Sequence, residues 1–224
     1  MIATYEQFIE RVNALGVMAF SHGFPDGFPT LEQMTTPQQW HTGEVATDPW
    51  QWKDRAAAEQ KLAFGCILGG HKGFISRAMY PLFYAAMRPR ESLQARYEDG
   101  TVSSATLQIY QLFEDRFQLS TADIRSALGV TKKQGASRAD GAVIDLQKQF
   151  LITVNGNQRR INKDGQPYGW PANTYTTVER WTQDWIDENP ISAEEARAQI
   201  LAHCEQLDPS IDLGTLRRRL FGRI

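Results

Sequence analysis

Apolar residues return at helical spacing as Phe8, Val12 and Leu15, between a Thr4-Tyr5-Glu6-Gln7 capping signature and Gly16, which predicts a first helix with both ends marked. Residues 21–49 lose that period and carry Pro25, Pro29, Pro37 and Pro49, so they read as a long connection wrapped around something. Asp48-Pro49 then opens a helix through "WQWKDRAAAEQKLA", because Asp can cap it and Pro at the first helical position loses no needed hydrogen bond. "FGCILGGHKGFIS" reads as a glycine-broken β-hairpin and "AMYPLFYAAMR" as a helix. Residues 89–102 read as a connector, which divides the chain into an aromatic-rich α+β region, 1–100, and a second domain, 101–224.

The second stretch has a clearer period. "SSATLQIYQLFEDR" places Leu107, Tyr110, Leu112 and Phe113 at helical spacing. Ser120-Thr121-Ala122-Asp123 caps a short helix ending at Gly129, and Ser137-Arg138-Ala139-Asp140 is read as the cap of a third, with Val143, Leu146 and Phe150 inside. Strands are expected at "FLITVN" and "TYTTVER", with a turn-rich tip from Gly156 to Asn173 between them, and a last helix begins at Ser192-Ala193-Glu194-Glu195. Three short helices followed by a hairpin is the order of a winged helix, a helix-turn-helix variant. The expected fold class is therefore α+β: predominantly helical winged-helix modules with small β-hairpins.

Charge sharpens this picture. The chain has a formal net charge of −2, yet Arg125 to Lys163 holds eight Lys and Arg against two Asp, a local +6 that leaves −8 for the rest. Lys132, Lys133 and Arg138 gather at the start of the expected recognition helix, Lys148 follows on its polar face, and Arg159, Arg160 and Lys163 fall on the expected wing. These seven are the candidate DNA-contacting residues, and duplex DNA is the expected partner. A solvated basic surface is the bland alternative. Gln147 and Gln149 have the chemistry to read adenine edges but sit late in the helix, where surface filling is the simpler role.

A second concentration is aromatic. Eight of the 24 aromatic residues lie between Trp40 and Tyr84, interleaved with charged residues. One reading is a pocket for a flipped base or small ligand, built from Trp50, Trp52, Asp54, Glu59, His71 and Tyr80, with Asp54 or Glu59 as general base. The other is a core of large side chains under a charged helix face, in which Arg55 and Glu59 form an i, i+4 ion pair.

Several classes find no support. Gly70 is followed by His71-Lys72-Gly73 rather than Lys-Ser/Thr, so "GCILGGHKG" is not a phosphate loop. The four histidines are scattered and no HExxH occurs, so neither metal nor cofactor is expected. No Gly-x-Ser-x-Gly elbow is present. Cys66 and Cys204 belong to no paired motif and read as buried free thiols of a reducing compartment. "MIATYEQFIERV" lacks an apolar signal core, and no run approaches the ~18–20 apolar residues of a membrane span, so a cytoplasmic protein without membrane contact is expected, with self-association left open.

From about Phe64 onward the chain resembles the winged-helix family of AlkZ-type DNA glycosylases, and more closely its shorter bacterial AlkZ-related members. The resemblance rests on "LAFGCILGGHKGFISRAMYPLF", "LSTADIRSALG", "LQKQFLITVNG", "TYTTVERW" and "ISAEEARAQILAHC", and "WHTGEVATDPWQWKDRAAAEQKLAFG" resembles the shorter members. It implies tandem winged helices around a DNA-holding channel and, in the glycosylases, excision of alkylated bases by a Gln-x-Gln or Gln-x-Asp pair that positions water. The Gln-x-Gln here, Gln147-Lys148-Gln149, falls in the expected recognition helix, so catalysis is not carried over to it. Binding is the expected function, with base excision and a DNA-independent small-molecule or protein-interaction module as alternatives.

Overall fold

A computed structural model describes residues 1–131, 134–186 and 191–222 of the chain. Helix α1 (Tyr5–Leu15) starts where Thr4 Oγ1 accepts the Gln7 N–H at 3.3 Å, while the Gln7 side chain turns back to accept the Ala3 N–H at 2.8 Å. Strand β1 (Val17–Ala19) follows directly, then α2 (Leu31–Met34) and α3 (Pro49–Ala58). The long connection is ordered by Asp48. Its buried carboxylate accepts the Trp50 N–H that begins α3 at 2.9 Å, and also the His41 and Gly43 N–H groups at 3.1 and 3.0 Å.

Strands β2 (Leu62–Leu68) and β3 (His71–Ser76) form the expected hairpin, and β1 adds to β3, giving an antiparallel sheet of order β1-β3-β2. Helices α4 (Tyr80–Met87) and α5 (Leu93–Glu98) lead to α6 (Ser104–Gln111), β4 (Leu119–Ser120), α7 (Thr121–Ala127) and α8 (Ala136–Lys148). Then come β5 (Ile152–Ile161), β6 (Pro167–Thr177), α9 (Val178–Thr182), α10 (Ala193–Leu207) and α11 (Leu213–Phe221). The second sheet is antiparallel with order β4-β6-β5.

The first sheet divides the interior because successive strand residues face opposite sides. Phe64 and Phe74 point to a core that takes Phe8 from α1, Trp52 from α3, Ile109 from α6, Leu146 from α8 and Val154 from β5. Ala63 and Ile75 point to the other, with Tyr80 and Phe83 from α4, Trp181 from α9, Ile200 from α10 and Leu220 from α11. A bulge between Gly65 and Leu68 breaks the alternation, which lets Ile67 and Leu68 both enter the second core. Each core draws on both sides of residue 100, and the Trp181 indole donates to the Ala57 carbonyl at 3.0 Å, so the regions 1–100 and 101–224 share their interiors.

Four local expectations need correction. Helix α8 does not begin on a Ser137 cap: its N-cap is Gly135, left-handed at φ +82°, with no side-chain cap. Helix α6 buries Ala105, Thr106 and Ile109, with Phe113 just beyond it, leaving Leu107, Tyr110 and Leu112 half-buried at the core edge. The strand read through "TYTTVER" stops at Thr177, where the chain turns into α9 and buries Trp181. The segment 156–173, read as a turn-rich tip, is mostly paired strand, and the loop shrinks to about residues 162–166.

Truncating Leu146, fully buried where α8 meets the first core, should cost about 2–5 kcal/mol as Leu146→Ala. Urea unfolding should stay a single transition moved to lower denaturant. Two resolved transitions, only one of them moved, would contradict the shared core.

Candidate nucleic-acid interface

The β5–β6 ribbon runs past its last packed residues near Gly156 and Thr174 into solvent. Its tip is tied by Asn162, whose side-chain oxygen accepts the Asp164 and Gln166 N–H groups at 3.0 and 2.8 Å. Arg159 and Lys163 are exposed on it, and so are Ile161, Tyr168 and Trp170, the last at 81%. The sequence reading passed over Tyr168 and Trp170 because "QPYGWPAN" looked like turn; two aromatics among so many cations were the available signal. Lys132, Lys133 and the Arg160 side chain lie outside the described residues.

Helix α8 presents a limited free face. Ser137, Arg138, Gly141, Ile144 and Asp145 are exposed, and Arg138 donates to Ser104 Oγ at 2.9 Å. Arg125 on α7 grips Asp140 through its Nε and Nη2 donors at 2.6–3.2 Å, which ties up one of the cations of the basic stretch. Lys148 is half-buried beside the β2–β3 turn. The face carrying Gln147 is covered by β2. Gln147, 2% exposed, accepts the Cys66 N–H at 3.0 Å and donates to the Val143 carbonyl at 3.2 Å. Glycine at 65 makes room for it, since a Cβ there would lie 2.5 Å from Gln147 Oε1. Gln149 accepts from Arg96, so both glutamines of the Gln-x-Gln pair are tied into the fold.

Between β2–β3, α7, α8 and β6 lies a cavity of about 230 Å³, lined among others by Phe64, Cys66, Lys72, Arg125, Asn173 and Tyr175. Cys66 is half-buried there rather than sealed in the core; burial pushes its thiol pKa up, and nearby Lys72 opposes the shift. Cys204 is the fully buried thiol, pushed up to about 12 by desolvation.

The six aromatic-half residues do not converge on one pocket. Trp52 is sealed in the first core, stacked on Phe8 with ring centroids 5.5 Å apart, and Tyr80 is sealed in the second against Phe150 and Trp185. Glu59 is held at the surface by Arg55 at 2.7 Å, the Tyr5 hydroxyl at 2.9 Å and Lys61 at 3.1 Å. Burial pulls its pKa up, but those three partners outweigh it and hold the carboxyl near 2, a poor base. His71 stands on the β2–β3 turn beside Phe24. Trp50 is half-buried, with the Lys53 ammonium 4.6 Å above its ring.

What does assemble is a buried polar cluster that sequence reasoning did not isolate. Lys53 Nζ and Asp54 Oδ2 lie 2.5 Å apart with side chains only 6 and 7% exposed. Asn157 on β5 donates to the same oxygen at 2.7 Å, and among the described residues Asp54 Oδ1 has no partner. Burial lowers the Lys53 pKa, and Asp54 works against that shift. Asn157 pairs across the ribbon with Asn173, which lines the cavity, so the cluster and the cavity are neighbours.

These elements define a mixed helix-and-sheet, α+β protein. The chain belongs to the AlkZ-related family, whose model matches residues 2–221. It is similar to the Streptomyces sahachiroi DNA glycosylase AlkZ at 12% identity and a TM-score of 0.42, over 77% of this chain and 50% of that one. This chain thus spans about half the length of that glycosylase. No curated protein matches it. Among the described residues no helix is long and apolar enough to cross a membrane, and no group of three His, Cys, Asp or Glu is placed to hold a metal.

Asp54→Ala would strand the Lys53 ammonium and should cost about 3–5 kcal/mol, while Lys53→Met with Asp54→Leu should cost much less. Denaturation of both variants checks this. A neutral Asp54→Ala would contradict the buried pair.

Proposed function

We propose that this protein binds duplex DNA, with α6, α7, α8 and the β4–β6–β5 sheet acting as a winged helix. In this reading the exposed first turns of α8 approach the duplex and the β5–β6 ribbon is the wing. The carrying observation is the ribbon itself: two strands of 10 and 11 residues extend beyond packed neighbours and keep Arg159, Lys163, Tyr168 and Trp170 in water. A two-stranded ribbon is marginal alone, and a Trp left in solvent adds nothing to its stability. Cations beside exposed aromatics suit a nucleic acid, which offers phosphates to the one and base faces to the other. Membership of the AlkZ-related family supports a DNA-related role.

Lys132, Lys133 and Arg160 belong to the proposed contact set by sequence position, with Arg138 and Lys148 at the two ends of α8. Base excision is not part of this reading. Gln147 and Gln149 are engaged in structural hydrogen bonds, and Asp54 is locked to Lys53. The cytoplasm, where both thiols stay reduced, is the compartment this reading assigns.

Arg159→Ala with Lys163→Ala should weaken duplex binding evenly across sequences and lower the slope of log K against log salt by about 2. Trp170→Ala should weaken it by about 1–3 kcal/mol if the indole stacks on a base. Fluorescence anisotropy at two salt concentrations measures both. Unchanged affinity in both variants would remove the ribbon from the interface.

A further inference from the structure

We infer that the groove where α11 meets the β2–β3 turn and the end of α8 is a second phosphate-backbone contact, engaging the same duplex as the proposed wing; the inference rests on that reading. The groove, about 480 Å³, is lined by Gly69, His71, Lys148, Thr215, Arg218, Arg219 and Gly222. Three separate elements converge there, brought together by a close backbone approach. A Cβ at Gly69, which has φ +63°, would fall 2.0 Å from the Arg219 carbonyl oxygen, so glycine lets the turn sit against α11.

The cations in this groove differ from the arginines that fasten the fold through acids. Arg55, Arg77, Arg88 and Arg125 each face a carboxylate within 2.7 Å. Lys148, Arg218 and Arg219 form no ion pair among the described residues, and the lining contains no carboxylate. Asp212, the acid nearest along α11, is occupied capping that helix through the Thr215 N–H and hydroxyl, each at 2.9 Å. Arg218 donates to Thr215 Oγ1 at 2.8 Å, and Arg219 Nη1 lies 3.3 Å from His71 Nε2, which must then accept and stay unprotonated. Cations in the last turn complement the α11 dipole. That does not explain why Lys148 and His71 arrive from two other elements.

The chemistry of the lining selects the ligand class. Its side chains are cationic or polar and none is apolar; its one ring, His71, is already engaged edge-on with Phe24 and beside Arg219, so the groove suits a phosphate. The separation suits a duplex. The 13 residues of α8 extend about 20 Å, more than the ~12 Å width of the major groove. A helix of that length, laid across the groove with its first turns near one backbone, brings Lys148 and the α11 arginines to the other.

The test is duplex binding against salt for the wild type, Lys148→Ala/Arg218→Ala/Arg219→Ala, Arg218→Lys/Arg219→Lys, and Arg159→Ala/Lys163→Ala, with thermal unfolding confirming that each variant folds. We expect the triple alanine variant to lose about tenfold or more in affinity at low salt and about 3 in salt slope, and the lysine variant to keep its slope. A folded triple variant with wild-type slope, while the wing variant still weakens, overturns the second contact and leaves the wing reading standing. Loss of slope in the lysine variant would also overturn it, because charge would not be the cause. No binding by the wild type would overturn both.

Discussion

The contact between α8 and β2 governs what this protein can present to a partner. Gln147 bolts the helix to the strand through the Cys66 N–H, in space left by Gly65, while Val143 and Leu146 enter the core on the same side. One consequence is structural: α8 joins the two halves of the chain and fixes where β5 begins, since Phe150 turns the chain directly afterwards at φ +54°. The other is functional. With its second half covered by the first sheet, α8 exposes only its opening turns and the Ile144–Lys148 edge, so that edge is what the helix can offer a partner.

Around that junction, charge is divided between structural and free roles. Arg88 donates to the Phe150 carbonyl and pairs with Glu179, Arg96 holds Gln149, and Arg125 holds Asp140; these guanidinium groups fasten the C-terminal end and one flank of α8. The cations proposed to meet DNA without a partnering acid lie along the ribbon and in the α11 groove. A net charge of −2 hides this division, because it sums paired and unpaired groups alike. The buried Lys53–Asp54 pair is a third case: it carries no net charge outward and links α3 to β5 through Asn157.

Much of the fold was legible because its signals are local. Thr4, Asp48, Ser120 and Ser192 cap helices as their spacing predicts, the Gly69–Gly70 hairpin forms, and the Val143, Leu146 and Phe150 stripe is buried. What escaped depends on distant partners. Three residues of β1 are too few to show a period, and α9 overrides a β-branched run because Trp181 gains a buried site under Ala57. The ribbon arms are polar on both faces, so no alternation marks them as strand. The aromatic pocket dissolved for a similar reason: Trp52 and Tyr80 sit on helices packed against opposite faces of one sheet, and sequence proximity cannot show which face each will take. The candidate site was legible as charge at Arg138, Lys148, Arg159 and Lys163, whereas Trp170 and the α11 groove required the fold.

The most direct test of the account is tryptophan emission during a duplex titration at low salt, comparing wild type with Trp170→Phe. If the ribbon meets DNA, the wild type should show a saturable change in emission that the variant lacks, because the indole at 81% exposure moves from water to the interface. An identical response in both proteins, or no response while anisotropy reports binding, would contradict the ribbon as the contacting element.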